Sequence, residues 1–243
     1  MVKILSFDVG IKNLAYSLVN FSADDYEIED WDVIDITQNL LNTNLRCSVV
    51  RTGKLCNKLA INYAITNEKN IGFCENKKCQ SIALSTYSPK NLKKAKIKKI
   101  KDIELIDLTT EMIKKLRQKE NLLNVDIVVI ENQPVLKNPT MKSIQMVLYS
   151  YFLIYGVTTD KQINNIALFN AGKKLDVYNG PKIELNCKTN SYTERKKLSI
   201  EYTKCILKNK TDKLAFFNQH KKKDDLADAL LQCLTYYKKK CNA

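Results

Sequence analysis

Four acidic residues spread over the whole chain are placed where they could hold metal ions. Asp8 lies in an apolar run, Val2–Val9, that reads as a buried strand ending at Gly10. Glu131 follows the run VDIVVI, Val125–Ile130, a second strand-like segment. Asp225 and Asp228 stand three residues apart in a helical pattern and so project from one face. If the two strands are neighbours and the helix crosses them, the four carboxylates converge. Such a cluster repels itself when ionised and empty, and hard divalent cations, Mg²⁺ or Mn²⁺, relieve that repulsion. Singly, each acid also has an ordinary reading as a turn residue, a strand end or a helix-dipole partner, and the neighbouring Asp224 is an alternative in register for Asp225.

A second constellation is built from sulfur. Cys47, Cys56, Cys74 and Cys79 follow the spacing C-x8-C-x17-C-x4-C within a segment, 46–80, that is rich in Asn and Lys and weakly periodic. Four thiolates complete a tetrahedral Zn²⁺ site, which would give an otherwise coreless insertion its folding energy. Gly53, shortly before Cys56, suits a turn that presents a ligand. Four unligated thiols are the alternative. Cys187, Cys205, Cys233 and Cys241 are scattered and read as core or surface thiols.

The elements that must position these residues follow from periodicity. Leu14–Asn20 can form a hairpin with the first strand, and Tyr26–Ile36 reads as a third strand. Helical spacing runs through Asp102–Glu120. Asn138-Pro139 gives a cap and a first helical residue, the helix continues to about Tyr155, and Gly156 is a natural stop. Ile163–Phe169 reads as a strand. Ser191-x-x-Glu194 has the form of a capping box for a helix to about Leu207, and Lys223–Tyr237 reads as the last helix. Three early strands followed by alternating helix and strand predict an α/β fold with a mixed sheet covered by helices.

Composition narrows the partners. The chain has 243 residues, enough for one large domain with an insertion. Its net charge of +14 makes nucleic acid the first partner to consider, and Lys90–Lys101 concentrates part of that charge. No apolar run reaches the length of a membrane span, and the N-terminus does not read as a secretory signal. An intracellular, reducing location is therefore expected, with free thiols or metal ligands rather than disulfides.

Three segments together resemble a known family. FDVGIKNLAYSLV is similar to the first motif of RuvC-type Holliday junction resolvases, VVIENQP to the strand ending in the catalytic Glu, and KKDDLADALLQ to the last, helical Asp-x-x-Asp motif. The poxvirus-type resolvases of large eukaryotic DNA viruses look nearest, and only 46–80 falls outside the shared order. The resemblance implies a single RNase H-like nuclease domain over 1–243 with 46–80 inserted. It implies a homodimer that cleaves branched, four-way DNA to leave 5′-phosphate ends. It also implies Asp8, Glu131, Asp225 and Asp228 as ligands of two Mg²⁺ or Mn²⁺ ions about 4 Å apart. Lys174, in NAGKKLDVYNG, matches the family's lysine better than Lys173 does. Viral replication sites in the host cytoplasm fit this reading.

Other readings stay open on sequence alone. Actin-like ATPases share the Asp-x-Gly hairpin but need a second phosphate loop of that type, which this chain of 6 glycines lacks. An RNase H-type nuclease for another substrate would carry the same acids. A zinc-containing DNA-binding protein without enzymatic activity would share the charge and the cysteines.

Overall fold

Strand β1 (Val2–Val9) buries Ile4, Leu5, Ser6 and Phe7 completely, on both of its faces, and therefore occupies the middle of a sheet. The computed structural model describes residues 1–241 except 24, 42–43, 67–68, 137, 160, 162, 182 and 184–190. The chain divides into two compact units, one formed by 1–36 with 105–243 and the other by 37–104.

In the first unit, β1 pairs antiparallel with β2 (Asn13–Phe21), and β2 pairs antiparallel with β3 (Tyr26–Asp35). Helix α1 (Leu105–Arg117) precedes β4 (Ile127–Glu131), which pairs parallel with β1, and β5 (Asn165–Phe169) pairs parallel with β4. The sheet order is β5-β4-β1-β2-β3. This is the mixed sheet that the element order predicts, and its strand order agrees with the RNase H-like fold that the resemblance implies.

Period-two alternation decides what faces what. Ile4, Ser6 and Asp8 point to the face covered by the last helix, α5 (Lys223–Lys240). Leu230 and Leu234 of α5 pack with Ile4, Val19 and Val129, and Trp31 stacks on Phe217 of α4 (Thr211–Gln219). Phe7 points the other way, where its ring lies 5.4 Å from that of Phe152 in α2 (Pro139–Phe152). A hydrogen bond from Trp31 Nε1 to the Leu226 carbonyl and another from Ser17 Oγ to the Ala229 carbonyl tie α5 to the sheet. Between α2 and α5 in the chain runs α3 (Ser191–Ile206); the side chain of Ser191, and with it the expected capping box, lies outside the described residues.

Asn138 caps α2 as expected, its side chain accepting from the Met141 amide at 3.1 Å. The expected stop at Gly156 is corrected. Regular α-helix ends at Phe152, a π-helical turn follows over Leu153–Val157, and Gly156 lies inside it. A Cβ there would sit 2.3 Å from Ile163, so the glycine serves a close approach and not a left-handed stop. Helix α4 was not legible in the sequence.

The second unit has its own small architecture. Strands Asn62–Ile65, Asn70–Phe73 and Leu92–Lys94 form a three-stranded sheet, with a two-stranded hairpin (Val50–Arg51, Lys54–Leu55) and a helix, Lys77–Thr86, beside it in sequence. Since Leu92–Lys94 pairs with Asn62–Ala64, this unit runs beyond the 46–80 segment, and part of the Lys90–Lys101 run is strand. Of the scattered thiols, Cys233 is buried and Cys205 and Cys241 are exposed, while Cys187 lies outside the described residues.

Candidate active site

Parallel pairing of Phe7 with Ile130 makes Asp8 and Glu131 the next pair of residues on adjacent strands. Both point to the α5 face, because two residues back on each strand the Ser6 hydroxyl accepts from Gln232 of that helix and the Val129 side chain packs with its leucines. Helix α5 supplies Asp225 and Asp228. A 3₁₀ segment after β5, Ala171–Val177, supplies Lys174. Asn170 caps that segment by accepting from the Gly172 amide at 2.8 Å, and Thr235 Oγ1 donates to the Lys174 carbonyl at 3.0 Å. The helix that carries two acids thus also holds the lysine-bearing segment.

Lys174 is buried, and its Nζ lies 2.6 Å from Asp8 Oδ1, 3.3 Å from Glu131 Oε2 and 3.4 Å from Asp228 Oδ2. Lys173 is exposed, so Lys174 alone of the two reaches the acids. Asp225 stands at the margin, where its Oδ2 accepts from Asn13 Nδ2 at 3.0 Å and lies 3.6 Å from Lys222 Nζ. Asp224 points elsewhere, into a 2.6 Å ion pair with Lys196. The structure therefore brings Asp8, Glu131, Asp228 and Lys174 into contact with Asp225 beside them, and it separates Asp224 from the group.

The electrostatics follow from burial and crowding. Burial pushes Glu131 up to about 9, helped by its hydrogen bond to Asp8 and by the Asp8 charge. For Asp8, burial opposes ionisation, but the Lys174 ammonium and the hydrogen bond from Glu131 outweigh it and lower the pKa. Asp228 and Asp225 are both raised, chiefly by burial. Burial also disfavours a charged Lys174, yet the three carboxylates override it and hold the ammonium protonated. A cation at the centre is what this carboxylate group demands, and the donor set, all hard oxygen, suits Mg²⁺ or Mn²⁺.

The acids form the floor of a cavity of about 470 Å³ whose lining also includes Lys12, Arg195, Lys196 and Lys222. An anionic floor below a cationic wall can accept metal ions underneath a phosphate backbone. Sequence reasoning missed Asn13, Lys196 and Arg195, and also Gln133, whose Nε2 donates to the Val9 carbonyl at 3.2 Å. Asn13 was in view inside the first motif, but only its contact to a residue 212 positions away reveals a role. The four cysteines, Cys47, Cys56, Cys74 and Cys79, gather in the other unit, with their Sγ atoms all within 4.8 Å of one another.

Two family models match the chain: Poxvirus A22 protein over residues 80–240, and Mitochondrial resolvase Ydc2 / RNA splicing MRS1 over residues 4–135. A curated relative, Uncharacterized protein L451 of Acanthamoeba polyphaga mimivirus, is 35% identical over 198 residues, covering 75% of this chain and 46% of the relative. The chain thus spans about half that relative's length. Similar solved structures include the Fowlpox virus resolvase in complex with substrate Holliday junction DNA (TM-score 0.49, 17% identity, 97% of each chain). The yeast mitochondrial Holliday junction resolvase Ydc2 is also similar (TM-score 0.47, 16% identity, 98% of this chain and 84% of that one). A third is T. thermophilus RuvC in complex with Holliday junction substrate (TM-score 0.46, 10% identity, 97% and 94%). At these scores the strand order of the chain itself, and not the superpositions, carries the fold.

Proposed function

The chain belongs to the poxvirus A22 protein family, and on that premise we propose that it is a metal-dependent endonuclease that resolves four-way DNA junctions. The observation that carries the reading is a floor of carboxylates gathered around one buried cation, lined on the same cavity by basic side chains. In this reading Asp8, Glu131, Asp225 and Asp228 hold two Mg²⁺ or Mn²⁺ ions. Bound there, the ions supply an activated water and offset charge on the departing 3′ oxygen of the phosphodiester.

The protein's own groups do the positioning. Asp8 and Glu131 approach from neighbouring strands that cannot slip without shifting the core, so their spacing is fixed by the sheet. Asn13 orients Asp225 by donating to Oδ2. Lys174 brings an ammonium to the place where negative charge grows on the scissile phosphate. Lys12, Arg195, Lys196 and Lys222 receive flanking phosphates. Hydrolysis in this direction leaves 5′-phosphate and 3′-hydroxyl ends, which can be ligated directly.

The substrate and assembly are part of the same reading. A four-way junction is close to two-fold symmetric, and a homodimer would set two sites against opposing strands. The 37–104 unit carries 14 Lys and Arg against 4 Asp and Glu, a surplus of ten out of the chain's +14, which suits a DNA-gripping role for that unit. No helix among the described residues is long and apolar enough to cross a membrane. Replication sites of a eukaryotic DNA virus are the setting that fits.

The test is cleavage of synthetic four-way junctions, linear duplex and RNA–DNA hybrid with Mg²⁺, using wild type and Asp8→Asn, with both nicks mapped. Symmetric nicks in the junction that vanish in the variant are expected. Undiminished cutting by Asp8→Asn, or preferred cutting of the hybrid, would overturn the proposal.

A further inference from the structure

The 37–104 unit presents a problem of stability. Its hydrophobic cluster consists of Cys47, Val49, Ala64, Phe73, Cys74, Cys79 and Ala83. Three of these seven are cysteines and two are alanines; among the described residues Val49 and Phe73 are its sizeable fully buried side chains, with Ile71, Tyr87 and Leu92 packed partly buried against them. So small a core, in a unit that carries ten surplus positive charges, needs another source of folding energy.

Local structure brings the four thiols together from two directions. The Cys47 carbonyl accepts from the Asn57 amide at 3.1 Å, and the Cys56 amide donates to the Val49 carbonyl at 2.8 Å, so the first two cysteines flank a closed hairpin. Its turn places Thr52 and Gly53 at φ 47° and 75°, the pair of left-handed residues that a tight two-residue hairpin requires. Cys74 follows the strand Asn70–Phe73. Cys79 lies in the first turns of the next helix, whose cap, Asn76, accepts from the Lys78 amide at 3.0 Å. The loose sequence spacing is therefore closed up by the fold.

From this arrangement we propose that Cys47, Cys56, Cys74 and Cys79 bind a single Zn²⁺ that folds the 37–104 unit. A tetrahedron with Zn–S bonds of about 2.3 Å has edges of about 3.8 Å. The Cys56–Cys74 sulfurs are 3.7 Å apart and the Cys56–Cys79 sulfurs 3.9 Å. All four thiols are free, and each lies near the other three, where disulfides would draw them into two pairs. An iron–sulfur cluster would hold its thiolates wider, because iron and sulfide stand between them. Four thiolates and one Zn²⁺ carry a net charge of −2, and Arg51 donates from Nη2 to Cys56 Sγ at 3.4 Å while its Nη1 donates to Asn76 at 3.3 Å. That guanidinium both offsets the charge and ties the hairpin ligand to the helix cap. Four protein ligands leave no open position, so the role is structural.

The experiment uses the full chain, purified reduced and without chelators. Elemental analysis should give about one zinc per chain, released by a thiol-specific mercurial into a chelating dye. Co²⁺ exchanged into the stripped chain should show the strong visible bands of a tetrahedral tetrathiolate. Cys56→Ser should lose the metal or shift the cobalt spectrum, and Cys205→Ser, at an exposed thiol outside the cluster, should keep both. If Cys56→Ser does not fold, the wild-type metal content and cobalt spectrum decide alone. Folded protein without metal, with all four thiols open to a thiol reagent, would overturn the proposal, and so would iron with sulfide. Because metal content is read without DNA, failure of junction cleavage leaves this result standing.

Discussion

Lys174 stands where a metal ion would be useful, and that makes it the most informative single residue. Its ammonium is the counter-charge that lets Asp8, Glu131 and Asp228 share one buried corner. Removing one partner of a buried ion group costs about 3–5 kcal/mol, because the charges left behind remain unpaired. Lys174→Met should therefore lower the thermal midpoint clearly in EDTA. Mg²⁺ should then raise the midpoint of the variant by more than it raises that of the wild type, since Asp8, Glu131 and Asp228 will have lost the buried ammonium they share. Equal shifts in thermal melts of both proteins would mean that the acids do not take up the ion. In single-turnover cleavage with saturating Mg²⁺, the same variant should be slower by about 10²–10³-fold, the usual cost of removing a group aimed at developing charge. Junction affinity, measured in Ca²⁺ by fluorescence anisotropy, should fall much less than that.

Helix α5 is the element on which the site depends, because it holds partners on both sides of the cavity. One turn beyond Asp228, Gln232 is fully buried and its Nε2 lies 3.0 Å from Ser6 Oγ and 3.0 Å from the Phe7 carbonyl. Gln232→Leu removes both of these buried hydrogen bonds, at a cost of about 1–3 kcal/mol. Urea unfolding should show that loss, and the cleavage rate should fall at Mg²⁺ concentrations where the folded fraction is unchanged. A variant that is as fast as wild type would place the helix under other control. What the sequence made legible at this scale was local. The alternation around Asp8, the strand before Glu131, the Asn138 cap and the i, i+3 spacing of Asp225 and Asp228 are all written within a few residues. The rest depends on distant contacts. Within NAGKKLDVYNG only the Asn170 cap is local, and what seats the 3₁₀ segment against α5 so that Lys174 is buried includes a contact with Thr235, 61 positions away. Gly156 reads as a helix stop until Ile163 is seen against it. Helix α4 escapes notice because Phe217 is its sole buried residue and gives too little periodicity. The strands of the 37–104 unit are at most four residues long and pair across gaps that carry no pattern of their own.

At the scale of the whole molecule, charge and exposed apolar surface point to different partners. Lys93 and Lys94, both exposed in the basic run, should contact phosphate if the 37–104 unit grips DNA. Replacing both with Gln should weaken junction binding and reduce the slope of log affinity against log salt by about 1.8, since each phosphate contact contributes about 0.9. An unchanged slope in anisotropy titrations across several salt concentrations would leave that charge without a role in binding. Assembly has its own signature. One side of α2 buries Ile144, Leu148 and Phe152 in the core. On the same helix and the π-helical turn that follows it, Met146, Leu153, Ile154 and Val157 are between 38% and 53% exposed. All four lie on the solvent side of the helix and of the π-helical turn that continues it. A helix with apolar residues toward the core and a second apolar stripe toward solvent is suited to a like partner, and the two-fold symmetry of the substrate proposed above would call for one. Met146→Glu with Ile154→Glu should therefore convert a dimer into a monomer in light scattering, and should uncouple the two nicks in a supercoiled cruciform plasmid. Nicked circles would then accumulate where the wild type yields linear product. Should the variant remain dimeric with coupled cuts, the interface lies on another face; should wild type itself be monomeric, paired cleavage cannot come from a stable homodimer.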